Sequence, residues 1–192
     1  MSAPLEIAQL TRPCRGEVVC GDHILIRESG ARIVIALADG LGHGPDAAAA
    51  ARAFCEHVAA SAEHAPEELL RTGGRAIAHT RGAVAAVLSF DLERGSIAFS
   101  GVGNIELSAR SRAPIKPISM PGILGRPVRR INRFDYSIAV GDLLVMHSDG
   151  VSTRFTLDAL GTVPAADVAA TLLAQHGKDH DDVGLVVVRV LR

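Results

Sequence analysis

Asp39 closes an apolar run, Val34 to Ala38, and is followed by glycines at 40, 42 and 44 before Pro45 and Asp46. A buried stretch that ends by presenting an acid beside bare backbone delivers that carboxylate to a fixed point. The glycines remove side chains and permit positive φ, so carbonyls and amides can approach a ligand closely. Pro45 fits the first turn of a helix, and Asp46 suits the positive end of its dipole. A carboxylate with exposed carbonyls favours a hard cation, whereas a glycine loop opening a helix favours a phosphate. Both stay open on this stretch alone, because Asp-Gly is also ordinary turn chemistry.

Asp22, Asp149 and the adjacent Asp181 and Asp182 share one feature with Asp39: each stands next to a predicted strand end. Asp22, Asp39 and Asp149 also have a glycine beside them. If these strands share a sheet, or two stacked sheets, the acids converge at one edge. Two unit charges at ~4 Å repel by about 4 kcal/mol at an effective dielectric near ~20, so such a cluster wants a divalent ion. All-oxygen ligation points to Mg2+ or Mn2+, and no cysteine or paired-histidine spacing suggests zinc. Two such ions ~3.5–4 Å apart activate a bridging water and clamp a phosphoryl group for in-line attack. Between Asp181 and Asp182 the spacing does not choose. His43 has two readings, a general acid for a leaving oxygen or a histidine that merely caps the helix start. Gly101-Val102-Gly103-Asn104 reads as a tight turn near the site. Arg126, Arg129, Arg130 and Arg133 form a basic stretch that reads as a solvated face ahead of a grip on an acidic partner.

A chain of 192 residues with 48% apolar content has room for one well-buried domain, expected over 1–192. The balance of 20 Lys and Arg against 21 Asp and Glu offers no bulk attraction to nucleic acid or membrane. Aromatics are 3%, which leaves few platforms for stacking bases. Cys14, Cys20 and Cys55 are odd in number and match neither a disulfide frame nor a zinc spacing, as in a reducing cytoplasm. No leader-like or membrane-spanning apolar run is present, so a cytoplasmic protein is expected.

The elements that must position these acids follow from pattern. Residues 5 to 28 read as extended, with Val18 to Cys20 and His23 to Arg27 as segments; Arg32 to Ala38 reads as a strand buried on both faces. These form a hairpin carrying Asp22 on one arm and Asp39 at the end of the other. A long alanine-rich helix is predicted from Pro45 to about His64, and a second from Pro66. Short strands follow at Ala83 to Phe90, Ser96 to Ser100 and Ile105 to Ala109, as an antiparallel meander. Residues 111 to 130 read as a loop with little regular structure. Arg133 to Val140 and Leu143 to His147 read as a strand pair turned at Gly141-Asp142. Thr156 to Leu160 and Ala165 to His176 read as helical, and Val183 to Leu191 as a closing strand. Blocks of strands and helices indicate α+β with antiparallel sheets.

Taken together, Asp39-Gly40-Leu41-Gly42-His43-Gly44, Gly101-Val102-Gly103-Asn104, Ser148-Asp149-Gly150 and Asp181-Asp182 resemble, in order and spacing, the PPM (PP2C-like) metal-dependent protein phosphatases. The D-G-x-G-H-G form of the glycine loop is similar to the bacterial SpoIIE-type branch, and the resemblance covers nearly the whole chain. It implies an αββα sandwich, two Mn2+ or Mg2+ ions between the sheets, and hydrolysis of phosphoserine or phosphothreonine without a covalent intermediate. Carried over by motif, Asp39 bridges both metals and the Gly40 carbonyl binds one. Asp149 and Asp181 hold the other, the first position of the Asp-Asp motif being the family's ligand, and Asp22 acts largely through water. Thr80-Arg81-Gly82-Ala83, the loop Pro121-Gly122-Ile123-Leu124-Gly125 and the lack of a sensor segment look like the RsbX-like stressosome phosphatases. Those act on phosphorylated STAS-domain proteins and reset a stress signal.

Three departures qualify the resemblance. Gly21 stands where the eukaryotic branch has Glu, Gly184 stands where the family often has Thr, and no arginine matches the eukaryotic phosphate-binding position. The first two motivate a rival reading, a phosphatase-like module that binds phosphoprotein without turning it over. The glycine loops also permit a small-molecule phosphatase.

Overall fold

The computed structural model describes residues 4–191. Side chains alternate across a strand, and that parity builds the layers. On β3 (Arg32–Gly40), Ile35 and Leu37 face a second sheet, while Val34, Ala36 and Ala38 lie under helices. The unbroken apolar run thus reflects two covered faces. β3 pairs antiparallel with β2 (Asp22–Ser29) and with β4 (Ala83–Asp91). β5 (Ser96–Val102) and β7 (Phe134–Ser137) extend this sheet to the order β2-β3-β4-β5-β7.

The second sheet has the order β1-β9-β8-β6. Its strands are β1 (Leu5–Arg12), β9 (Val183–Val190), β8 (Leu143–His147) and β6 (Glu106–Arg110). On β9, Val186 and Val188 meet the first sheet, while Leu185 and Val187 face α3 (Ala165–His176). α1 (Pro45–Ala60) and α2 (Pro66–Ala76) cover the outside of the five-stranded sheet, where Phe54, Val58, Leu69 and Leu70 are fully buried. The result is helices, two antiparallel sheets and a helix, as the αββα expectation requires.

Several local expectations are corrected. Leu5–Arg12 is the first strand, whereas Val18 to Cys20 forms a bend with Val18 almost fully exposed. The proposed strand pair about Gly141-Asp142 is two strands of different sheets: β7 pairs with β5, and β8 lies between β6 and β9. Burial explains the division. Phe134–Ser137 alternates half-buried and exposed, as an edge strand does, while all five residues of Leu143–His147 are buried and need neighbours on both sides. Asp142 turns the chain between sheets by accepting the Ala139 amide at 2.8 Å and the Arg112 amide at 3.1 Å. For the same reason the meander stops at β5, and β6 joins β8 across the sandwich. Of Thr156 to Leu160, Asp158–Leu160 forms one 3-10 turn. Among the described residues no helix is long and apolar enough to cross a membrane.

Candidate metal centre

Parity also aims the acids. Asp39 follows Ile35 and Leu37 on the face between the sheets, and Asp22 is its register partner on β2. Directly opposed residues share a face, so both carboxylates point to the same edge of the sandwich. Ser148, beyond β8, continues the inward face of Leu144 and Met146 and donates its hydroxyl to Asp22 Oδ2 at 2.6 Å. The Gly184 amide of β9 donates to Ser148 Oγ at 2.9 Å, so the two sheets are tied at the point where the acids emerge.

These carboxylates act on one another. Burial, followed by the charges of Asp22, Asp149, Asp181 and Asp182, pushes Asp39 up to about 9. Burial also pushes Asp22 up to about 7; the Ser148 hydroxyl pulls it back, and the charges of Asp182, Asp181 and Asp149 add to the rise. Asp181 is raised by burial and then by Asp149. Asp22 Oδ1 is buried without a hydrogen-bond partner. An edge where acids penalise each other's ionisation and one buried oxygen lacks a donor suits a hard cation.

The arrangement is open. Among the described residues no three His, Cys, Asp or Glu side chains close into a metal-holding group. Asp149 Oδ2 accepts the Asn104 amide at 2.7 Å, and its own carbonyl accepts from Lys178 Nζ at 2.5 Å. Mg2+ commonly takes one or two carboxylates and keeps several waters, so an open set of oxygen donors fits it.

Gly40 follows Asp39 where a Cβ would stand 1.9 Å from the Ala47 carbonyl oxygen, so the start of α1 seats directly on the strand end. The Gly44 N-cap has φ 74°, which favours glycine. His43 lies in the exposed loop with Nδ1 2.6 Å from Glu17 Oε1, and Gly44 precedes the helix in the capping position. Asp46 in the first turn pairs with Arg81 at 2.6 Å, and Arg81 Nη1 also lies beside Gly42.

Asp181 and Asp182 are separated by their surroundings. Asp182 is buried and its Oδ1 accepts the Cys14 amide at 2.9 Å, whereas Asp181 is half-buried and bonds the Asp182 amide at 3.0 Å. A Cβ at Gly21 would come 2.6 Å from Asp182 Oδ2 and 3.1 Å from Ala47 Cβ, so the Asp182 carboxylate packs against the bare backbone at this position. At Gly184 a Cβ would meet Leu37 Cδ1 at 2.5 Å and Asp22 Oδ2 at 3.0 Å.

Ser148 and Asn104 stood inside motifs singled out in the sequence, without a role of their own; Lys178 and Glu17 were passed over, and nothing local marks them.

Residues 29–191 match the family model described as Stage II sporulation protein E (SpoIIE). The chain belongs to the SpoIIE family. It is 25% identical over 139 residues to the phosphoserine phosphatase RsbX of Bacillus subtilis (strain 168), covering 71% of this chain and 70% of that one. A chain solved in work on the bacterial stressosome, described as a modular system adapted to control secondary messenger signaling, is 33% identical. It superposes with a TM-score of 0.92 over 96% of this chain and 99% of that one. RsbX in complex with magnesium matches with a TM-score of 0.88 at 20% identity, over 97% and 95% of the two chains. This SpoIIE-family chain is therefore a homologue of a phosphoserine phosphatase and has the PP2C-like sandwich.

Proposed function

We propose that this SpoIIE-family chain is a Mn2+- or Mg2+-dependent phosphatase that hydrolyses phosphoserine or phosphothreonine on STAS-domain proteins of a stressosome, in the cytoplasm. What supports the chemistry is that Asp22 and Asp39 lie opposite each other on the face between the sheets, buried, within reach of the charges of Asp149 and Asp181, which add to the cost of ionising both. The substrate class rests on kinship with RsbX and on the likeness to a stressosome-associated chain.

Asp39, the Gly40 carbonyl, Asp149 and Asp181 are the residues assigned to hold one or two ions, with Asp22 acting from behind through solvent. A divalent ion there supplies Lewis acidity, polarising the phosphoryl oxygens and making a nucleophile of water near neutral pH. The chain supplies position. Ser148 and Asn104 hold Asp22 and Asp149 in place. Water attacks phosphorus, the bond to the seryl oxygen breaks, and that oxygen takes a proton. His43, held by Glu17, is the assigned donor.

The test is phosphate release from p-nitrophenyl phosphate and from a phosphorylated STAS protein, with and without Mn2+. Metal-dependent release in both supports the reading, and release from neither overturns it. Gly21 and Gly184, where related phosphatases carry Glu and often Thr, favour one rival, a binding module without turnover. That reading predicts phosphoprotein capture with no release at any metal concentration.

A further inference from the structure

A cavity of about 760 Å3 lies between α2 and the loop 121–131, away from the acids. Its rim carries Arg71, Arg75, Arg126, Arg129 and Arg130, and no acid lines it. Arg71 pairs with Glu68 one turn back; for the other four, no carboxylate among the described residues lies within ion-pair distance. In a chain of net charge −1, such a concentration of unpaired guanidinium is local. The floor is aliphatic: Leu70 and Leu124 are fully buried, with Val128 and Ile131 half-buried beside them.

This groove is braced on the strand end that carries Asp39. Leu124 exchanges backbone hydrogen bonds with Ala83 at 3.1 and 2.8 Å, and the Gly82 carbonyl accepts the Leu41 amide at 3.0 Å.

We propose that this groove docks an acidic segment of a protein partner, with aliphatic side chains seated on the half-buried Val128 and Ile131, which Leu70 and Leu124 back from beneath, and flanking carboxylates meeting the arginines. Charge complementarity selects the sign, because guanidinium pairs carboxylate with two parallel hydrogen bonds. The aliphatic floor selects a peptide over nucleic acid, since no aromatic residue lines the groove to stack a base. A cavity of this size accepts a short peptide segment, consistent with buried anchors inside a polar rim.

The experiment uses a fluorescein-labelled synthetic peptide of glutamates interrupted by leucines, titrated with the full chain at physiological salt and read by fluorescence anisotropy. Replacing Arg129→Glu together with Arg130→Glu is expected to weaken binding by about tenfold or more. Ala78→Trp, which fills the exposed end of the groove without changing charge, is expected to weaken it to a similar degree. A peptide with serine in place of leucine is expected to bind about tenfold more weakly. Circular dichroism melts establish that both variants fold. Unchanged affinity in either folded variant, equal affinity for the serine peptide, or stronger displacement by a single-stranded oligonucleotide than by unlabelled peptide each overturns the proposal. Neither metal nor turnover enters the measurement, so its outcome is separate from that of the phosphatase reading.

Discussion

The carboxylate of Asp182 is buried against the Cys14 amide, while Asp181, one residue earlier, is half-buried and raised in pKa by that burial and then by Asp149. Asp182→Ala leaves a buried amide unpaired and is expected to cost about 1–3 kcal/mol in chemical denaturation. Asp181→Asn is expected to leave that stability near parental and to lower Mn2+-dependent turnover. Asp39→Asn removes the group whose ionisation is opposed first by burial and then by the neighbouring acids. Without added metal the variant is expected to melt above the parent in scanning calorimetry at slightly alkaline pH, while turnover falls by about 100-fold or more. His43 separates two leaving groups. A seryl oxygen needs a proton and p-nitrophenolate does not, so His43→Ala is expected to slow phosphopeptide hydrolysis on the order of 100-fold and leave p-nitrophenyl phosphate turnover little changed. Equal effects on both substrates reduce His43 to a loop residue held by Glu17. That Asp22, Asp39 and Asp149 stand at or just beyond strand ends was readable from apolar runs and neighbouring glycines. Asp181 and Asp182 were not separable, because adjacent residues differ only in what the fold packs against each.

At the scale of elements, β3 and α1 meet where Gly40 faces the Ala47 carbonyl. Gly40→Ala drives a methyl group into that backbone and is expected to cost about 3 kcal/mol, read as a lowered urea midpoint, by lifting the first turn of α1 off the strand. β3 and α1 were legible because long apolar runs, proline at a first helical position and positive-φ glycine are local signals. The pairing of Phe134–Ser137 with Leu143–His147 was misread for an equally physical reason. A short connection with glycine looks the same whether it closes a hairpin or carries the chain to another sheet. The distinguishing sign was burial, alternating in β7 and continuous in β8.

Across the whole molecule, the sandwich holds acids of distant sequence against one another, and pH sets what this costs. Asp22 and Asp39 titrate near the ordinary carboxylate value of about 3.9 when unfolded, and at about 7 and about 9 in the fold. Below the unfolded value both states are protonated, and the fold's preference for neutral acids contributes in full. As pH rises through the folded values the contribution is lost, so thermal stability without divalent metal is expected to fall from mildly acidic to alkaline pH. Mn2+ is expected to raise the melting temperature more at pH about 8.5 than at about 6, where protons compete for the same oxygens. A metal-induced gain that does not grow with pH would separate the binding site from these acids. The sequence by itself determined that several strands are covered on both faces, that acids stand at their ends, and that glycines open the approach to Asp39, because periodicity and turn chemistry are local. Only the tertiary structure decided which sheet each strand joins, hence that Ser148 reaches Asp22, that Asp182 is spent on Cys14, and that arginines of α2 and of the loop 121–131 share one groove. Burial patterns report that a face is covered without naming what covers it, and that choice is made by pairings between residues far apart in the chain.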